Sequence, residues 1–250
     1  MMFSFWNWLF GTRPTVIRYS PQPVHELTAF ERAVSALVLD YNHSILGPAS
    51  SLGDTLAGNI VHKIDQETAD RLATAILHGN DGRLPIAYLL ACIAVESSFD
   101  PAAVNGNFFG SNRAHDALGF DEGLCQLKLR YIVGAGAARD ALGAQGLAKD
   151  PRWSVERMVA IMDNCLRFAD GYIADHRAEM ALDAPEQSRW YVATGAYNFG
   201  QVGLGRMLQA DESMKMHHCE MVVALEKRFS RRLGMMPIFE GLRTPSKSVD

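Results

Sequence analysis

The stretch from Leu84 to Pro101, L-P-I-A-Y-L-L-A-C-I-A-V-E-S-S-F-D-P, limits the possible folds of this chain more than any other. Pro85 suits the first position of a helix, where its missing N–H is no loss. No charge occurs from Ile86 to Val95, and apolar side chains fall on every side of the expected helix. A helix of that kind belongs in a core. The run then ends on Glu96, and two serines, Phe99, Asp100 and Pro101 stop the helix. A carboxyl on the last turn of a buried helix meets apolar walls, and desolvation there favours the protonated acid. That is how a glutamate becomes a general acid near neutral pH. Taken alone, the stretch fits an ordinary glutamate reaching solvent equally well.

The chain has 250 residues, enough for one large domain or two small ones. Sustained apolar–polar alternation is missing and no repeat is visible. The fold class is therefore all-α, with at most a small β-ribbon near residues 105–131. Apolar residues recur at helical spacing from His25 to His43. Asp65 is placed to cap a helix from Gln66 to His78, with Gly79 just past its end. Leu46 to Asn59 reads as a loop, as does the Gly- and Asn-rich stretch from Asn105 to Glu122. Gly134 to Gln145 reads as a short helix, and Trp153 or Ser154 opens a long one toward Glu179. Pro185 opens a helix over Glu186–Tyr197. Lys215 to Leu233 is amphipathic, with Met221, Val222, Leu225 and Phe229 inside and Glu226, Lys227 and Arg228 outside. One domain is expected over residues 25–233. An aromatic segment and extended linker (1–24) precede it, and a loose tail (234–250) follows.

A net charge of −4 gives no reason to expect nucleic acid as a partner. No cofactor is expected either: G-Q-V-G-L-G at 200–205 follows no strand, so it is no dinucleotide motif. No metal site is expected, because His217, His218, Cys219 and Glu220 are adjacent on a helix and point in different directions. The four widely spaced cysteines read as free buried thiols. Met1 to Phe10, M-M-F-S-F-W-N-W-L-F, lacks a basic start and an A-x-A site, and so reads poorly as a signal peptide. Ten residues are too few to span a bilayer. The segment suits either docking on protein or contact with a membrane interface.

Four blocks now line up in order: A-V-E-S-S-F-D-P-A-A-V-N from Ala94, E-G-L-C-Q-L from Glu122, D-P-R-W-S-V from Asp150 and G-A-Y-N-F-G from Gly195. Together they resemble the soluble lytic transglycosylase (SLT) domain, whose pattern is E-S-x-F-x-P-x-A, then G-L-M-Q, then A-Y-N. The resemblance covers roughly Leu84 to Arg206. It implies a lysozyme-like, α-rich fold and cleavage of peptidoglycan glycan strands, with Glu96 as acid and base. It further implies that Gln126 and Tyr197 work beside the acid, that Asn198 fixes a helix end and reaches sugar, and that Ser97 either bonds near the acid or caps. Cys125 stands where the family has Met, in a packing role. Such an enzyme acts on the cell wall from the periplasm. With no export signal read here, such an enzyme is expected to reach the wall as a phage virion or lysis component or through a secretion system.

A glycosidic bond breaks through an oxocarbenium-like transition state after its oxygen is protonated. In a lytic transglycosylase the sugar's own C6 hydroxyl then attacks, giving a 1,6-anhydro end, and one glutamate suffices. A hydrolase needs a second carboxylate. The fold also resembles goose-type lysozyme, which carries acids in the loop and again just after the glutamine. Here Leu127 and Lys128 follow Gln126. Asp116 and Asp121 remain as possible second carboxylates, with Glu122 beside them, while the resemblance makes Asp100 structural. Transglycosylation is therefore favoured over hydrolysis. A structural virion or secretion-machine protein on the same fold is the further alternative.

Overall fold

The computed structural model describes residues 26–45, 59–105, 120–176, 185–201, 204 and 217–239. Helices dominate: α1 (Ala29–Ile45), α2 (Gln66–Asn80), α3 (Ile86–Ser97), α4 (Leu129–Gly134), α5 (Ala141–Lys149), α6 (Pro151–His176), α7 (Pro185–Phe199) and α8 (His217–Arg232). One four-stranded antiparallel sheet runs in the order β1 (Asn59–Ile60), β2 (Val104–Asn105), β3 (Asp121–Glu122) and β4 (Leu127–Lys128). The all-α, lysozyme-like expectation is met. The ribbon lies where it was expected, with one strand more, because Asn59–Ile60 pairs with Val104–Asn105.

The chain divides into two compact units. Unit 1 holds residues 1–83 and 96–159, and unit 2 holds residues 84–95 and 160–250. In unit 1, Thr28 and Glu31 start α1 as a capping box. Thr28 N donates to Glu31 Oε2 at 2.8 Å, and Glu31 N donates to Thr28 Oγ1 at 3.1 Å. Val34, Leu37, Val38 and Tyr41 bury one stripe of α1, which packs on α2. Asp65 caps α2 as expected, accepting from Thr68 N. Gly79 does not terminate α2. It lies inside the helix, where a Cβ would stand 2.9 Å from Val155 Cγ1. The helix ends instead at Asp81, in left-handed geometry at φ 46°. The helix expected over 134–145 begins at Ala141, capped by Asp140, and a separate short helix precedes it at Leu129–Gly134.

In unit 2, Tyr88 lies fully buried, with its hydroxyl 2.9 Å from Thr194 Oγ1 and its ring 4.8 Å from that of Trp190. Helix α8 packs on α7 and buries Val222 and Phe229, but two of its residues reverse their expected faces. Met221 is exposed, and Glu226 is fully buried. Glu226 Oε1 accepts from Ser230 Oγ at 2.7 Å and from Ile238 N at 2.9 Å. The chain just after Gly234 is thus fastened rather than loose. Phe239 is fully buried against Tyr88, 6.1 Å between ring centroids. The aromatic segment 1–10 and residues 240–250 lie outside the described residues.

Candidate active site

Glu96 is the next-to-last residue of α3 and opens the second segment of unit 1. The turn that follows is held firmly. Ser98 and Phe99 both adopt left-handed backbone, at φ 52° and 65°. Such geometry is costly without glycine and persists only where surroundings enforce it. Here Asn42 Nδ2 donates to Ser98 O at 2.8 Å. Phe99 is fully buried, edge-on to Tyr41 at 5.7 Å. Asp100, also buried, accepts from His62 N at 2.7 Å, His62 Nδ1 at 2.8 Å and Ala102 N at 2.8 Å. These three bonds all hold the turn, which fits the structural role expected of Asp100. Ser97 is buried at the helix end, and its carbonyl accepts from Asp100 N at 3.0 Å.

The G-L-C-Q block forms the turn between β3 and β4. Gly123 N donates to Ala103 O at 2.9 Å, which ties this turn to the chain just after Glu96. Gln126 closes it in left-handed geometry, at φ 48°. Its Nε2 donates to Gly123 O at 2.9 Å and to Ala103 O at 3.2 Å. Two carbonyls on that side require the NH2 there, so the amide cannot be flipped. Oε1 is then left buried with no partner among the described residues. Gln126 is therefore an acceptor only, and a ligand must offer it an O–H or N–H. Neighbouring Cys125 is inert. Burial pushes its thiol up to about 12, with the charge of Glu96 adding to the effect against a hydrogen bond from Ser154.

Electrostatics single out Glu96 itself. Its side chain keeps partial access to solvent, yet dense protein surrounds it. Desolvation by burial, and secondly the charge of Asp121, raise its pKa from 4.5 to about 8. At neutral pH it is therefore a proton donor. Asp121 lies on β3, opposite Lys128 in the register, with Lys128 Nζ 3.6 Å from its Oδ1. Glu122 turns to the other face, as strand alternation requires. It is buried, accepts from Gln145 Nε2 at 2.8 Å and meets Lys149 Nζ at 3.3 Å, so it braces α5. Of the sequence-derived carboxylates, Asp121 is the one the acid feels, and Asp116 lies outside the described residues.

This arrangement carries a prediction. Replacing Asp121 by Asn removes a negative charge that disfavours the ionised acid. The alkaline limb of the pH profile of kcat/KM, expected near 8, then moves to lower pH. It stays well above the ordinary carboxyl range, because burial is the larger cause. An unmoved limb would remove Asp121 from the acid's surroundings.

The family model for the transglycosylase SLT domain matches residues 75–218, more than half of the chain, and extends past the four motif blocks at both ends. The chain belongs to the transglycosylase SLT family. Comparison with curated proteins and with solved structures gave no match. Within the SLT domain, Glu96, Asp121 and Gln126 fall together in unit 1. Tyr197 and Asn198 belong to unit 2, three and two residues before Gly200, which takes left-handed geometry at φ 72°. There Tyr197 is half-buried and Asn198 is exposed in the last turn of α7. Sequence reasoning missed Lys128, whose partner becomes visible only once β3 and β4 pair. It also missed His62, which secures Asp100 from 38 residues away. An open cavity of about 690 Å³ on unit 1, lined by Arg83, Arg152 and Glu156 among others, contains neither Glu96, Asp121 nor Gln126.

Proposed function

We propose that this protein is a peptidoglycan lytic transglycosylase, cleaving the β-1,4 bond from N-acetylmuramic acid to N-acetylglucosamine with formation of 1,6-anhydro ends. The observation that carries the reading is Glu96, an acid held protonated near neutral pH at the end of an apolar helix. In the proposed reaction Glu96 gives its proton to the glycosidic oxygen, and the C–O bond breaks toward an oxocarbenium-like state. The C6 hydroxyl of the muramic ring attacks C1, and its proton passes to the Glu96 carboxylate. The acid is thereby restored, and no water is consumed. Gln126 accepts a hydrogen bond from the glycan, the polarity that its locked amide allows. Tyr197 and Asn198 are assigned supporting contacts by family resemblance alone.

A second reading is hydrolysis, and the proximity of Asp121 favours it. A carboxylate that the acid feels electrostatically is also positioned to steady a cation or orient water. Against it, Asp121 is already engaged by Lys128. The site of action in either case is the cell wall, reached from the periplasm, and a phage virion or lysis role suits the aromatic segment 1–10 as a docking or membrane-interface element. Digesting purified peptidoglycan and weighing the products separates these readings. Anhydro ends support the proposal. Reducing ends favour a muramidase with Asp121, and intact glycan favours a structural virion or secretion-machine protein.

A further inference from the structure

Tyr131 breaks the pattern of its own helix. In α4, Leu129 and Ile132 fill the core, while Tyr131 stays 44% exposed. Leaving a large ring half in water forfeits apolar burial. One neighbour of the ring is charged. Lys128 Nζ stands 5.6 Å from the ring centroid, within cation–π range. The same ammonium meets Asp121 at 3.6 Å, and Asp121 is the carboxylate whose charge reaches Glu96. Acid, second carboxylate, ammonium and ring therefore form one connected series, all within unit 1. The sheet fixes its middle members, since Asp121 and Lys128 are register partners.

We propose that Tyr131, steadied by Lys128, is an aromatic platform on which a pyranose ring of the glycan stacks, in a subsite beside Glu96. This rests on the peptidoglycan reading above. The π face of a ring is electron-rich, and the C–H groups lining one face of a sugar are weakly positive. Stacking buries apolar surface on both while the sugar hydroxyls stay hydrated. A sugar seated there holds the strand in register over the acid without taking part in bond breaking. Tyr131 is thus a binding residue, and its loss falls on KM rather than on kcat.

The test uses the full chain and soluble, uncrosslinked peptidoglycan glycan strands. Tyr131→Ala should raise KM about tenfold, the effect of losing one aromatic stack. Its kcat should stay within about twofold and its melting temperature should hold. Tyr131→Phe, which keeps the ring, recovers most of the loss, whereas Tyr131→Leu, which keeps bulk without a π face, does not. In a non-cleaving Glu96→Gln background, Tyr131→Ala weakens strand binding by the same factor. An unchanged KM and Kd for Tyr131→Ala would overturn the platform, as would a Phe variant no better than Ala. If the wild type opens no glycan bond at all, the peptidoglycan reading fails and the platform with it. If it cleaves normally while Tyr131→Ala matches it, the platform alone fails.

Discussion

Glu96→Gln is expected to abolish glycan cleavage, lowering kcat by about a thousandfold or more, because loss of a positioned general acid removes this much of the rate. Gln keeps the shape and the hydrogen-bonding reach, but carries no transferable proton. The same substitution acts on stability with a sign opposite to its effect on activity. Burial and Asp121 raise the acid's folded pKa from 4.5 to about 8. The folded state thus holds this proton more tightly than the unfolded state. Wild-type stability therefore declines as pH rises from about 4.5 through about 8, when the unfolded carboxyl has ionised and the folded one resists. Glu96→Gln has no such proton to lose. Its melting temperature should gain on the wild type across that window, and the gap should close at acid pH. Muropeptide release and thermal unfolding at several pH values check both halves. An active Gln variant would displace Glu96 from its role, and a pH-independent stability difference would deny its raised pKa.

Gly123→Ala should be the most damaging small substitution. Gly123 has φ 81°, and a Cβ there would lie 1.8 Å from Ala148 O and 2.5 Å from Ala148 C. Those are backbone atoms of α5 and cannot rotate aside. Either the turn carrying Gln126 shifts or α5 does. The shift would break the Gly123 N bond to Ala103 O and the carbonyl that holds the Gln126 amide. A loss of about 3 kcal/mol or more is expected, as for severe backbone clashes. At about 2–4 °C per kcal/mol for a chain of this size, the melting temperature drops by roughly 6 °C or more. Gly136 provides the comparison. It also has a left-handed φ, 73°, but a Cβ there meets nothing within 4 Å. Gly136→Ala should cost only the conformational strain, about 1 kcal/mol. Equal effects at the two sites would refute the steric account.

The sequence made the acid legible for a simple reason. Ten uncharged residues ending in Glu can hardly be arranged except as a core helix with a carboxyl at its exit. Asp65 was legible as a cap because capping is local. Features that depend on two distant segments were not. Asp121 and Glu122 look equivalent in the chain. Only the strand geometry sends one toward the acid and the other to Lys149. The polarity of Gln126 depends on the carbonyls of Ala103 and Gly123, not on any property of glutamine. Gly79 carries a helix-ending residue type, but the space it leaves admits Val155. Glu226 looked like a surface charge among Lys and Arg until Ser230 and Ile238 claimed it. The Thr28–Glu31 capping box was readable in the sequence and went unread.

The turn after Glu96 has a bearing on where this domain can be cut. The family match starts at residue 75, yet the clamps on that turn come from Asn42 and His62. Phe239, packed against Tyr88 of α3, lies beyond the other end of the match at residue 218. A fragment trimmed to the matched residues would keep every motif. It would lose the parts that force Ser98 and Phe99 into their unfavourable backbone and one wall around the helix leading to the acid. The autonomous unit is larger than its signature. The motifs mark where chemistry is done, and segments without any motif fix the shape in which it can be done.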